Sequence, residues 1–180
     1  ADTEPTVVLF TQDKPGLAEN PAAKTGWKVI SVEDIRWGRR DIKTVQLLYP
    51  SMGKMAAKKA GVDDAWLVED GFVTEGTSNN AYIVKGNRII TRQLSSDILH
   101  GITRAAVLRF AAEAQMEVEE RPFSIAEAQN ADEAFITSAS AFSCRETARS
   151  MRRGVGGCTR SRRSSMPSAR CPSPSSSCSA

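Results

Sequence analysis

The sequence predicts an α/β (mixed α+β) domain. Three patterns predict it: short β-type runs, two-residue turns between them, and three helical stretches marked by a start, a cap or a stop. The length of 180 residues lies within the range of a single domain, ~100–200 residues. Residues 7–10, all apolar, form the first β-type run, and the polar loop 13–16 closes it. A second strand is expected over residues 27–31. Residues 52–60 suit a helix, with Gly61 as its stop. Residues 64–69 and 72–75 read as two strands joined by Asp70-Gly71, a strong two-residue hairpin signal. Residues 81–84 and 88–91 repeat the pattern around Gly86-Asn87. Gly101 opens a helix to about residue 115. Residues 118–121 are β-like, Ser124 caps a short helix to Gln129, and residues 133–137 form a last strand. Neither an internal repeat nor a heptad pattern appears.

Charge divides the chain at Phe142. Residues 143–180 hold eight Arg, eleven Ser, no Lys and one acid, Glu146, a net of +7. Residues 1–142 hold 16 basic and 20 acidic residues, a net of −4. All four cysteines, Cys144, Cys158, Cys171 and Cys178, lie beyond Phe142, at spacings that form no CxxC pair. A zinc ribbon is therefore not expected, and no metal is. The Arg/Ser segment has too few apolar residues to bury a core. It reads as a solvated tail, a nucleic-acid contact through Arg152-Arg153 and Arg162-Arg163, or an out-of-frame translation. The missing Lys and aromatic residues count against nucleic acid. No run of 18 apolar residues exists, so no membrane-spanning helix is expected. The start, Ala1 to Pro5, lacks the pattern of a signal peptide, and the absence of an initiator Met suggests an internal or processed piece. A cysteine-free body fits a reducing, cytoplasmic compartment.

Four segments carry residues suited to chemistry. Lys43 follows Arg36, Arg39 and Arg40 and sits among apolar Ile42, Val45, Leu47 and Leu48. It reads either as a surface lysine or as an amine held in a partly desolvated, cationic neighbourhood. The second setting would lower its pKa and make it a nucleophile toward an aldehyde. Glu75 ends a strand and precedes Gly76-Thr77-Ser78-Asn79-Asn80. This is a solvated turn, or a carboxylate able to keep a ring nitrogen protonated beside hydroxyls able to bind phosphate. Gly101-Ile102-Thr103-Arg104 begins a helix, where free N–H groups and the dipole favour anions. Thr137-Ser138-Ala139-Ser140 offers small polar residues at a strand end. His100 is the only histidine, and without a nucleophile motif it reads as structural or exposed.

Taken in order, these segments resemble the fold-type IV pyridoxal-phosphate aminotransferases. Val32-Glu33-Asp34-Ile35-Arg36-Trp37 leading to Lys43 is similar to the family's cofactor-lysine segment. Residues 73–80 are similar to its pyridine-nitrogen carboxylate segment, residues 101–104 to its phosphate-binding helix start, and residues 135–138 to its second phosphate strand. Within the family the D-amino-acid type is the nearest, with branched-chain aminotransferase as runner-up and aminodeoxychorismate lyase third.

The resemblance implies roles. Lys43 would carry pyridoxal 5'-phosphate and move the proton at the substrate carbon. Glu75 would pair with the pyridine nitrogen, and Arg36 would neutralise Glu75. Ile102 and Thr103 would hold the phosphate, aided by Ser138; Ala139 stands where the family often has Thr, which removes one hydroxyl. The implied reaction is transamination between D-alanine and 2-oxoglutarate, giving pyruvate and D-glutamate. The implied assembly is a homodimer. Residues 1–20 would be a remnant of a smaller N-terminal domain and linker, residues 21–142 a partial cofactor-binding domain, and residues 143–180 the unrelated tail. The chain thus reads as the larger domain of a two-domain enzyme, incomplete at both ends. The family continues past Phe142 with apolar strands and a helix, which favours the out-of-frame reading of the tail.

Overall fold

The computed structural model describes residues 3–13, 26–139 and 142–146, the last of these as backbone. Lys14-Pro15-Gly16, Ser140 and the tail from residue 147 onward lie outside the described residues. Among the described residues, eight strands and three helices follow one another in the order β1 (Val29–Glu33), α1 (Leu48–Lys59), β2 (Asp64–Glu69), β3 (Phe72–Gly76), β4 (Asn80–Lys85), β5 (Arg88–Thr91), α2 (Ile102–Glu113), β6 (Glu117–Glu120), α3 (Ile125–Gln129), β7 (Glu133–Thr137) and β8 (Phe142–Glu146).

The strands form two sheets. In the first, β1 runs parallel to β2 with α1 as the crossover, and β2 pairs antiparallel with β3. The second has the order β6-β5-β4-β7-β8. There β5 runs parallel to β6 with α2 as the crossover, and the other pairs are antiparallel. Both parallel pairs are the expected result of linking strands through a helix rather than a hairpin. The two hairpins occur where the turn residues place them. Asp70 and Gly71 both adopt positive φ, 51° and 83°, as a two-residue hairpin turn requires.

Period-two alternation divides the second sheet between two cores. Ala81, Ile83, Ile90, Ala134 and Ile136 pack with Val29, Trp66, Val73 and Phe123 between the sheets. Trp66 meets Phe123 edge-on, with ring centroids 5.9 Å apart. The intervening residues Tyr82 and Ile89 face the other way, against Ala111 of α2 and its neighbours. Tyr82 stacks on Phe135 at 4.5 Å. The result is sheet, sheet and helix in three layers.

Some boundaries differ from the sequence expectation. Helix α1 begins at Leu48, four residues earlier than residue 52, and includes Pro50 in its first turn. Proline is tolerated there because first-turn N–H groups have no intrahelical partner. Helix α2 stops at Glu113 because Gln115 turns left-handed at φ 57°. The apolar run 7–10 forms no strand: these residues are exposed and pair with nothing described, and a β-type run needs a sheet edge to become a strand. Strand β8 crosses the compositional boundary at Phe142 and pairs antiparallel with β7.

Candidate active site

One cleft of about 680 Å³ gathers all five residues singled out in the sequence: Lys43, Glu75, Ile102, Thr103 and Ser138. Its size suits a small-molecule cofactor. Three kinds of element build it. The end of β3 supplies Glu75, the start of α2 supplies Ile102 and Thr103, and the end of β7 leads to Ser138. The irregular segment between β1 and α1 supplies Lys43.

Glu75 is buried, and both carboxylate oxygens are held. Arg36 Nη1 donates to Oε1 at 2.6 Å. The Leu99 N–H donates to Oε2 at 3.1 Å, and Asn80 Nδ2 donates to the same oxygen at 3.3 Å. Burial pushes the Glu75 carboxyl above its ordinary range, while Arg36 and the Leu99 N–H oppose that rise. Behind Arg36 lies Asp34, whose side chain is fully buried. Arg36 donates to it through Nε and Nη2, both at 2.8 Å, and the Thr74 hydroxyl donates at 2.6 Å. Burial also works against the Asp34 charge, but the bonds from Arg36 and Thr74 hold its carboxyl below the ordinary range. The Arg36–Glu75 pairing implied by the resemblance is therefore present, and Asp34 is a further partner that the sequence reading did not assign.

Of the two settings the sequence left open for Lys43, the structure has the exposed one, not the partly desolvated one. The three arginines expected to make its surroundings cationic are each neutralised. Arg36 pairs with Asp34 and Glu75, Arg39 with Asp41 at 2.9 Å, and Arg40 with Glu69 at 2.7 Å. Four carboxylates interleaved through the fold offset three guanidinium groups, a pairing that sequence spacing does not display. Among the described residues lining the cleft, Lys43 is the lysine or arginine that no carboxylate engages.

Three hydroxyls around the cleft have partners within the protein. Thr77 donates to the buried carboxylate of Asp64 at 2.6 Å, and Asn79 joins it at 2.9 Å. Ser78 receives Lys54 Nζ at 3.1 Å. The Thr77 proton is thus directed into the wall rather than toward an anion, because a buried carboxylate is the stronger acceptor. The Thr103 hydroxyl donates to the Ser138 carbonyl at 3.1 Å and ties the start of α2 to the end of β7. Backbone N–H groups at that end can bind an anion. The first intrahelical bond is donated by Ala105 to Gly101 O, so Ile102 and Thr103 N–H precede it. His100 lines the cleft, and its Nε2 lies 3.1 Å from Ser95 O. Among the described residues no His/Cys/Asp/Glu group is arranged for a metal ion. No helix among them is long and apolar enough to cross a membrane.

The chain is similar to proteins of one family throughout the described region. The family model for amino-transferase class IV matches residues 1–145. D-alanine aminotransferase of Bacillus licheniformis is 45% identical over 136 residues, covering 76% of this chain and 47% of that protein. The D-alanine aminotransferase of Staphylococcus aureus (strain N315) is 35% identical over 142 residues, covering 78% and 49%. The chain therefore spans about half the length of these relatives. Among solved structures, branched-chain amino acid aminotransferase of Thermobaculum terrenum in its PLP form superposes with a TM-score of 0.63 at 26% identity, covering 73% of this chain and 44% of that one. With a family model matching well over half its length, the chain belongs to the class IV aminotransferases.

Proposed function

We propose that the cleft binds pyridoxal 5'-phosphate and serves transamination between D-alanine and 2-oxoglutarate, giving pyruvate and D-glutamate. The carrying observation is the contrast within one cleft: a buried carboxylate, an uncommitted amine and a helix start. These residues fit the cofactor. Glu75 supplies a fixed anion for a protonated ring nitrogen, and its Oε1 accepts from Arg36. The start of α2 supplies N–H donors and a positive dipole end for a dianionic phosphate ester. Lys43 supplies an amine that no carboxylate among the described residues engages.

When bound, the cofactor supplies an electron sink that stabilises negative charge at the substrate carbon. The protein's own groups do the rest. Glu75, held by Arg36, Asn80 and Leu99, keeps its oxygens in place without rearrangement. Ile102 and Thr103 N–H fix the anionic end, and Ser138 braces Thr103 through its carbonyl. Lys43 holds the aldehyde end and moves the proton at the substrate carbon. D-alanine as substrate follows the names of the two relatives above. Branched-chain amino acids are the second reading, favoured by the Thermobaculum superposition. We infer a homodimer acting in the cytoplasm, as the family resemblance suggests.

Lys43→Ala tests the reading. It should abolish the borohydride-reducible linkage between protein and pyridoxal phosphate and nearly all turnover. A retained reducible linkage would assign the amine elsewhere. Comparing D-alanine with D-valine, L-valine and L-leucine as amino donors separates the two substrate readings.

A further inference from the structure

We propose that Asn80 is a positioning residue that locks the carboxylate end of the cleft to its phosphate end. The inference rests on the cofactor-binding reading above. Asn80 is buried at the start of β4 and lines the cleft. Its amide nitrogen bonds in two directions. One bond goes to Glu75 Oε2 at 3.3 Å, the other to the Leu99 carbonyl at 2.9 Å. The Leu99 N–H returns to the same Glu75 oxygen at 3.1 Å, which closes a ring of three bonds. Leu99 lies two residues before Gly101, the N-cap of α2. The carboxylate and the helix start are therefore joined through one side chain as well as through the backbone.

Gly101 supplies the second half of the argument. Its φ is −67°, so no left-handed backbone demands glycine. A Cβ there would lie 2.3 Å from Asn80 Oδ1, closer than real contacts allow. Asn80 cannot turn aside cheaply, because both of its amide protons are engaged. Glycine at 101 thus lets the helix start sit directly on the Asn80 amide. A rigid cofactor bonded at both ends is sensitive to the spacing between them, because binding geometry prepared in advance lowers the cost of binding. Small anions that engage only the helix start are not.

The test is a double-mutant cycle in the full chain, read as affinity of the cofactor-free protein for pyridoxal phosphate. Asn80→Ala and Gly101→Ala should each weaken that affinity about tenfold, the loss expected for one hydrogen bond to a charged group. The double variant should also lose only about tenfold, because removing the Asn80 side chain removes the clash that the Cβ creates. Inorganic phosphate, titrated separately, should bind the unmodified protein and Asn80→Ala within about twofold, since phosphate senses one end alone. A loss of about a hundredfold in the double variant would show independent effects and overturn the lock. Equal losses for phosphate and cofactor would overturn it too, reducing Asn80 to a support of the helix start. Unchanged cofactor affinity in Asn80→Ala overturns the lock while leaving the function reading intact. Failure of the unmodified chain to bind pyridoxal phosphate overturns both.

Discussion

The two walls of the cleft are built on opposite physical terms. The Glu75 wall is buried and every charge in it has a partner. Asp34, Arg36, Thr74, Asn80 and Leu99 form a continuous set of hydrogen bonds around one carboxylate. The Lys43 wall is an irregular, exposed segment, and the apolar side chains around it are exposed as well: Val45 at 95%, Leu47 at 60% and Leu48 at 77%. The difference follows from what each wall is attached to. Glu75 ends a strand whose neighbours are packed between two sheets, so its geometry is inherited from the core. Lys43 lies in the crossover from β1 to α1, where backbone groups are not fixed by a ladder. A fixed anion and an accessible amine are complementary needs of one chemistry. The first must not rearrange when charge develops, and the second must be reached by an aldehyde.

The strongest way to break this contrast is to discharge the buried wall. Glu75→Gln retains size but removes the anion, and its amide N–H must face a donor, either Arg36 or the Leu99 and Asn80 pair. Turnover should fall about a hundredfold or more, the scale seen when one preorganised electrostatic partner is removed. Pyridoxal phosphate should remain bound, because the phosphate end and Lys43 are untouched. Steady-state kinetics together with cofactor absorbance at saturation checks both halves. Unchanged turnover would return Glu75 to the role of a structural carboxylate.

Next comes the support behind that carboxylate. Arg36→Met keeps much of the volume but strips the bidentate partner from Asp34 and the charged partner from Glu75. The Asp34 side chain is fully buried and that of Glu75 is 6% exposed, so neither can recover hydration. Leaving buried charges without a partner costs about 3 kcal/mol or more. Urea unfolding should show a lower midpoint with an unchanged slope. A shift of less than about 1 kcal/mol would mean that Arg40, 3.7 Å from Asp34, already carries the compensation.

How far the sequence displayed these walls depends on the range of the signal. Hairpins at Asp70-Gly71 and Gly86-Asn87 were legible because turn chemistry is local. Ser124 was legible as a cap for the same reason, and its hydroxyl accepts from the Glu127 N–H at 3.1 Å. The family resemblance brought Lys43, Glu75, Ile102, Thr103 and Ser138 into view, and they do meet in one cleft. The electrostatics around them were not legible. Arg40 pairs with Glu69 across 29 positions and Arg36 with Glu75 across 39, so a local run of arginines looked cationic when the fold makes it neutral. Asn80 was not legible as a positioning residue, because Asn before a strand reads as turn chemistry. Only the approach of Leu99 and Gly101 shows where its amide goes.

The smallest expected effect sharpens the contrast from its exposed side. Arg39 lies four residues from Lys43 and was expected to contribute to a cationic setting for it. Its side chain is 58% exposed and donates to Asp41 through Nε and Nη2, both at 2.9 Å. Its charge is therefore met at short range, and solvent and salt screen what remains over roughly 8–10 Å. Exposed pairs of this kind contribute little to stability. Arg39→Ala should leave the urea midpoint unchanged within error. It should also leave unmoved the affinity of the cofactor-free protein for pyridoxal phosphate. The second measurement is the decisive one. A weaker affinity in Arg39→Ala would mean that the guanidinium charge reaches the cleft despite Asp41. Equal affinity would mean that Asp41 already meets that charge, so that Lys43 relies on its accessibility within the cleft.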